Sequence, residues 1–239
     1  MTDTDDTDAG TIEGEDTDAE DTDAEDTDAE AEYERWVSEI EQMREDKDEF
    51  FSDHPQSPIQ PEVRDEFGGL SYFEPKPAFR VPTRVRVYGN PDPIELDVTA
   101  GQPIRYLRPF IFEFELRDER QQLAGYQQED EETDTIFIPF RDKTTGQQTY
   151  HQGRYMETEP DEELTNGDTV TLDFTLAYNP FCSFIETFAS PLPPEENRPD
   201  LPFPAASLPP PHVLLSHLDF RTPTPTTLPS LDPAPLALP

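Results

Sequence analysis

Between Pro139 and Tyr155 the chain reads PFRDKTTGQQTYHQGRY, which gathers Arg141, Asp142, Tyr150, His151, Arg154 and Tyr155 around a turn carrying Gly146. Guanidinium is the side-chain group best matched to a carboxylate or phosphate, because its planar fork of N–H donors meets two oxygens at once. Tyrosines suit the walls of such a pocket, being flat and apolar with one polar tip. A candidate site for a small anionic ligand therefore contains Arg141, Asp142, Tyr150, Arg154 and Tyr155. Asp173, the acid set in the apolar run TLDFT, joins from downstream with Tyr178 and Asn179. The competing use of the same arginines is a salt-bridge network with Asp142, Asp173 or Glu196, the usual role of arginine beside a β core. The two are separated by whether either guanidinium is left unpaired in a concave site.

A second chemistry is nucleophilic. Cys182 is the one cysteine; with His151 as base and Asp142 or Asp173 orienting the imidazole, it would form the arrangement a cysteine hydrolase uses. No local signature surrounds it, and a small thiol packed beside the turn at Asn179 and Pro180 is the simpler use. One cysteine excludes an intrachain disulfide, and a structural zinc would have to rely on histidine and carboxylate, so no metal site is expected. Carboxylate pairs such as those in DEE (161–163) and PEEN (194–197) are too numerous to single out a general acid. The glycines of FGGL and HQGRY have neither the spacing nor the strand-to-helix context of a nucleotide-binding loop.

These residues need a scaffold, and the period of the pattern supplies one. Tyr33, Trp36, Val37, Ile40, Met43 and Phe50 or Phe51 recur near helical spacing, predicting an amphipathic helix over 31–53 that ends before Pro55. Its Trp36 stripe serves either its own domain or a docking partner. Prolines at 55, 58, 61, 75 and 77 then limit the chain to a wrapping loop with at most a short helix near Glu62 to Phe67. After it the period becomes two: Val81, Thr83, Val85 and Val87, then Ile94, Leu96 and Val98, then Phe110, Phe112, Phe114 and Leu116. Further strands are expected at 123–128, 135–140, 149–157 and 169–174, with RDKTTGQ as the loop of a hairpin. No helix long enough for a parallel crossover separates them. The expected fold is mainly β, an antiparallel sandwich or partly open barrel with one N-terminal helix and disordered ends.

Composition bounds the folded part. Residues 1–30 hold fifteen acids and no Lys or Arg, including three tandem EDTDA copies, and neither glycine there has oxygen ligands at the offsets of a calcium loop. This arm is expected to be disordered, as is a Pro-rich tail over 205–239, leaving 54–204 as the β domain. The tail, poor in acids, reads as a lineage-specific extension or a reading-frame artefact. The full chain carries a net charge of -37, and 31–200 alone has 37 acids against 16 bases, a net of -21. With 14 Arg and 3 Lys, that balance points to the salt-saturated cytoplasm of a halophilic archaeon, where charge repulsion is screened. It argues against nucleic-acid binding, which needs a basic face. The start MTDTDDTDAG is no leader peptide and no segment is apolar enough for a membrane span, so a cytoplasmic protein is expected.

KDEFF (47–51), GGLSYFEP (68–75), PFRDKTTGQQTYHQGRY, LDFTLAYNPFC and PLPPEENR together resemble the bacterial and archaeal family known as domain of unknown function 1684. The resemblance covers about 45–204. It implies a mainly β domain with an N-terminal helix, and it brings no established activity, substrate or cofactor. Family members often carry a second cysteine where this chain has Ser190, and they usually end shortly after the segment matching LPFP. On the residues themselves, the leading expectation is a binding module for a small anionic ligand or a partner peptide. The alternatives are a hydrolase centred on Cys182, His151 and Asp173, and a purely structural or interaction domain.

Overall fold

The structure is a computed structural model that describes residues 20–129, 133–185 and 187–210, with side chains from Asp28 onward. Most of the acidic arm and residues 211–239 of the tail lie outside these. The chain divides into two compact units, Met1–Glu39 and Ile40–Pro239, the division falling within helix α1 (Glu20–Asp53). The helix starts well ahead of the expected Ala31 and ends at the residue the prolines dictate. In the first unit Tyr33 and Trp36 pack with ring centroids 5.7 Å apart. In the second, Ile40 and Phe51 are buried as the stripe requires, while Met43 is exposed.

The second unit is mainly β: an antiparallel half-barrel sheet of seven strands. They are β1 (Arg80–Val87), β2 (Pro93–Leu96), β3 (Ile104–Leu116), β4 (Glu119–Gln128), β5 (Ile136–Phe140), β6 (Arg154–Thr158) and β7 (Thr169–Asp173). They lie in the order β6-β5-β4-β3-β1-β7, and β2 also pairs with β3. Alternation places successive side chains on opposite faces. Val81, Val85, Phe112, Phe114 and Leu172 therefore share one core, and Ile111 and Tyr106 of β3 enter another with Tyr126. Strand β3 is longer than expected because it runs on through Pro109, and the register with β4 shifts between Leu107 and Phe110, where proline has no N–H to pair. The hairpin into β4 turns through Arg117 and Asp118, both at positive φ (54° and 62°), as a two-residue turn matched to strand twist demands.

Two features complete the frame around the site. After β7 the chain makes one 3-10 turn, Phe174–Leu176, and Tyr178 then exchanges backbone hydrogen bonds of 2.8 and 2.9 Å with Tyr155 of β6, the far edge of the sheet. One bridge thus ties the two edge strands together. The folded chain also runs past Pro204: Ala205, Ala206 and Ser207 are buried, Phe73 N donates to Ala206 O at 2.9 Å and Leu208 N to Ser71 O at 2.8 Å. Small side chains let this segment lie in the core, so the domain ends later than the composition change at Pro204 suggested. Expected near Glu62 to Phe67, a short 3-10 helix forms at Pro61–Glu66.

Candidate functional site

The stretch between β5 and β6 joins two antiparallel neighbours, but residues 141–153 form a longer turn-rich connection than the RDKTTGQ loop predicted, and β6 starts only at Arg154. Asp142 is the reason. Its carboxylate accepts Thr144 Oγ1 at 2.8 and 3.0 Å, Thr145 Oγ1 at 3.1 Å and Phe203 N at 2.5 Å. These bonds hold the loop in its own local geometry in place of a strand ladder. Gly153 closes the turn at φ +102°, and a Cβ there would stand 2.7 Å from Phe140 O and from Pro193 Cγ.

Arg154 is enclosed. Its Nη2 lies 3.4 Å from Asp142 Oδ2, with side-chain exposures of 1% and 0%. Nη1 donates to Ala205 O, Nη2 donates to Phe203 O at 3.0 Å, and the guanidinium covers the Phe140 ring at 5.0 Å. Burial pulls its pKa below the ordinary value, and the Asp142 charge resists that. Arg154 is enclosed by these partners and lines neither of the cavities described below, nor does Arg141, which is only partly buried and donates through Nε to Gln152 O at 3.2 Å.

The other expected residues are placed as follows. Asp173 accepts Thr175 N at 2.9 Å and pairs with Arg80 Nε at 3.7 Å. Tyr155 donates to Pro191 O and packs edge-on against Tyr178, 5.8 Å between centroids. Asn179 Nδ2 donates to Leu208 O at 2.6 Å. Cys182 is buried, its Sγ 3.6 Å from Gln152 Oε1 and 3.8 Å from Tyr150 Oη. His151 is exposed and sets its ring against the edge of Tyr150. The thiol and the imidazole of the hydrolase reading both neighbour Tyr150, whereas the Asp173 carboxylate is engaged with Thr175 and Arg80. Among the described residues, no three His, Cys, Asp or Glu side chains converge as metal ligands, and no helix is long and apolar enough to cross a membrane.

Of the expected ligand residues, Tyr178 alone lines a different concavity, a cavity of about 230 Å³ beside helix α1. Its walls are Ile40, Met43 and Phe50 from the helix, and Leu176 and Ala177 after β7. Its polar lining residues are Arg44, Lys47, Tyr72, Glu157, Thr175, Tyr178 and Ser207. Lys47 is partly buried, with Nζ 4.5 Å from the centroid of the Tyr178 ring, and burial pulls its pKa down to about 8 against the opposing charges of Glu157 and Asp48. Tyr178 Oη donates to Glu157 Oε1 at 2.7 Å. Desolvation pushes the Glu157 carboxyl above its usual range, while the Tyr178 hydrogen bond and Lys47 pull the other way. Arg44 lies 4.3 Å over the Tyr72 ring and gives Nη2 to Phe73 O at 3.0 Å.

Two of the lining residues also carry hydroxyls without a hydrogen-bond partner among the described residues. Four buried side-chain atoms lack a partner among the described residues: Tyr72 Oη, Thr175 Oγ1, Asn179 Oδ1 and Ser183 Oγ. Tyr72 and Thr175 both line this cavity, and Thr175 is only 3% exposed. A larger, shallower depression on the sheet surface mixes Arg84, Arg120 and Arg198 with Glu113, Glu115 and Glu196; Glu113 pairs with Arg86 and Glu196 with Arg108.

Residues 65–206 match the family described as protein of unknown function (DUF1684). The chain belongs to this family. It is also similar to an uncharacterised protein of Haloarcula marismortui whose solution NMR structure is 47% identical, with a TM-score of 0.61, covering 74% of this chain and 96% of that one. No curated protein matches. The family match takes in Tyr72, Glu157, Thr175 and Tyr178, whereas Arg44 and Lys47 precede it.

Lys47 carries a signal in the sequence itself. It occupies the stripe position after Ile40 and Met43, where the helical period calls for an apolar residue, and it is one of three lysines in the chain. A charge on the buried stripe of a helix has to face something polar.

Proposed function

We propose that this domain binds a small organic anion in the cavity between helix α1 and Tyr178. The observation that carries this reading is the pair of cationic side chains on the cavity wall, Arg44 and the partly buried Lys47, whose pKa desolvation pulls down to about 8. A cationic group held against an apolar wall loses hydration that an anionic guest can replace. Among the lining residues Arg44 and Lys47 outnumber Glu157, the one carboxyl, while Glu41 and Asp48 act on the two cations from beside them. The apolar wall of Ile40, Phe50 and Leu176 favours a carbon-bearing acid over an inorganic ion, and the volume suits a molecule of a few heavy atoms more than a peptide.

Thermal midpoints of the full chain in molar potassium chloride, with and without propionate, lactate and sulfate at fixed ionic strength, test the proposal. The carboxylates should raise the midpoint of the wild type, since a ligand that binds the native state alone stabilises it by about 2.7 kcal/mol at a hundred times its dissociation constant. Lys47→Met should abolish the rise. An equal rise in that variant, or none in the wild type with any acid, would overturn the reading.

A further inference from the structure

We infer that Lys47 is a nucleophile in this cavity, forming a reversible imine with the carbonyl carbon of a small oxo acid. The inference rests on the cavity's taking a small acid and adds a covalent step to it. Three relationships support it. First, Lys47 meets the cavity from a helix whose neighbouring turn carries Arg44 at i-3, a spacing that sets the two Cβ atoms about 5–6 Å apart. Arg44 spends one N–H on Phe73 O, so the same molecule's carboxylate can be held while its carbonyl stands at the amine.

Second, the amine is chemically prepared. Near its pKa of about 8, roughly a tenth of Lys47 is neutral at pH 7, against far less than a hundredth of a free lysine. Desolvation beside apolar walls is the usual way proteins activate a lysine for this role. Third, a proton carrier lines the same cavity. Glu157 accepts Tyr178 Oη at 2.7 Å, and desolvation raises its pKa above the usual carboxyl range. It is the one carboxyl among the cavity's lining residues.

In the step itself, the Lys47 nitrogen lone pair adds to the carbonyl carbon and the carbonyl π pair moves onto oxygen, which takes up a proton as the nitrogen loses one. The carbinolamine then expels its hydroxyl as water, with Glu157 supplying the proton and the nitrogen lone pair forming the C=N bond. Loss of the remaining N–H proton to Glu157, where the imine is neutral, restores the acid. Nothing is oxidised or reduced, and hydrolysis runs the same path backward.

The test is reductive trapping. The full chain in molar potassium chloride at pH 8 is incubated with pyruvate and sodium cyanoborohydride, digested, and mapped by mass spectrometry. Adduct should form on Lys47 in preference to Lys76, Lys143 and the N-terminal amine, and propionate should suppress it. Glu157→Gln should slow trapping at Lys47 by about 100-fold, the low end of general acid catalysis. A propionate shift without Lys47 adduct would overturn the imine and leave acid binding standing. Adduct spread evenly over all amines, or trapping at Lys47 at an unchanged rate in Glu157→Gln, would overturn the mechanism. Lys47 adduct with no propionate shift would support the imine and overturn acid binding as its basis.

Discussion

Arg154 and Asp142 face each other inside the β domain at 3.4 Å, with side chains 1% and 0% exposed. The guanidinium joins the β5–β6 connection to Ala205 and Phe203, and the carboxylate gathers Thr144, Thr145 and Phe203 N around itself. Removing one partner of such a pair leaves a buried charge uncompensated, at a cost of about 3–5 kcal/mol. Arg154→Met and Asp142→Ala should each lower stability by that amount in urea titrations at molar salt. The double variant should lose clearly less than the sum of the two. Additive losses would mean the two charges do not act on one another.

Gly153→Ala should be among the most damaging single-methyl changes in the chain. The residue sits at φ +102°, and the new Cβ would meet Phe140 O and Pro193 Cγ at 2.7 Å and Arg141 Cγ at 3.0 Å. Left-handed backbone costs an L-residue about 1–2 kcal/mol before any clash. A fall of more than about 2 kcal/mol in unfolding free energy is expected, and a neutral substitution would show that the turn can rearrange.

Cys182→Ser should be nearly neutral, within about 1 kcal/mol, because the serine hydroxyl can take over the polar contacts that the thiol makes with Gln152 and Tyr150. The native thiol, 7% exposed, should resist iodoacetamide at neutral pH over hours and react promptly once the chain is unfolded. Fast alkylation of the native protein would restore the nucleophile reading for Cys182.

The β domain was legible because alternation is a local signal. Val81, Thr83 and Val85 enter the core as their spacing requires, as do Phe112 and Phe114. What the sequence could not show were meetings made by distant chain segments. Arg154 finds Phe203 and Ala205 across 49 and 51 residues, and nothing near Arg154 marks it as more buried than Arg141. Asp142 was read as a ligand residue, but the two threonines after it are the better guide, since Asp followed by Thr at the second and third positions favours local hydrogen bonds over a strand. The cavity leaves no local signal because its polar groups come from five separate segments, around residues 44–47, 72, 157, 175–178 and 207. Lys47 alone left a trace, as a charge on an apolar stripe.

Low salt should destabilise the fold. Residues 31–200 carry a net charge of -21, and the Debye length grows from about 3 Å at 1 M to about 30 Å at 0.01 M, so repulsion screened in brine acts across the whole domain in dilute buffer. Dialysis from molar potassium chloride into 0.01 M buffer should lower the thermal midpoint and weaken the near-UV dichroism of the buried tyrosines. Retention of both would show that the acidic surface is tolerated without salt.

The pH dependence of Lys47 gives the last prediction. Its folded pKa of about 8 lies below the roughly 10.4 expected of an unfolded lysine, so between these values the unfolded chain binds more protons and stability rises with pH. Below pH 8 the cost of burying the ammonium is present in full. Glu157 and Asp48 are the opposing charges that act on it, and Glu157 has a raised pKa of its own, so the comparison is best made in a Glu157→Gln background. There Lys47→Met should raise the thermal midpoint at pH 7. Part of the gain, the added apolar burial, should not vary with pH; the remainder should shrink steadily as pH rises toward about 10, starting below pH 8 because loss of the Glu157 charge lowers the Lys47 pKa further. Midpoints of the two variants measured at half-unit steps over that range check the sign. A gain that stays flat with pH would mean that Lys47 titrates like a solvated amine, and a loss at pH 7 would mean that its ammonium is better satisfied by Asp48 and Tyr178 than by water.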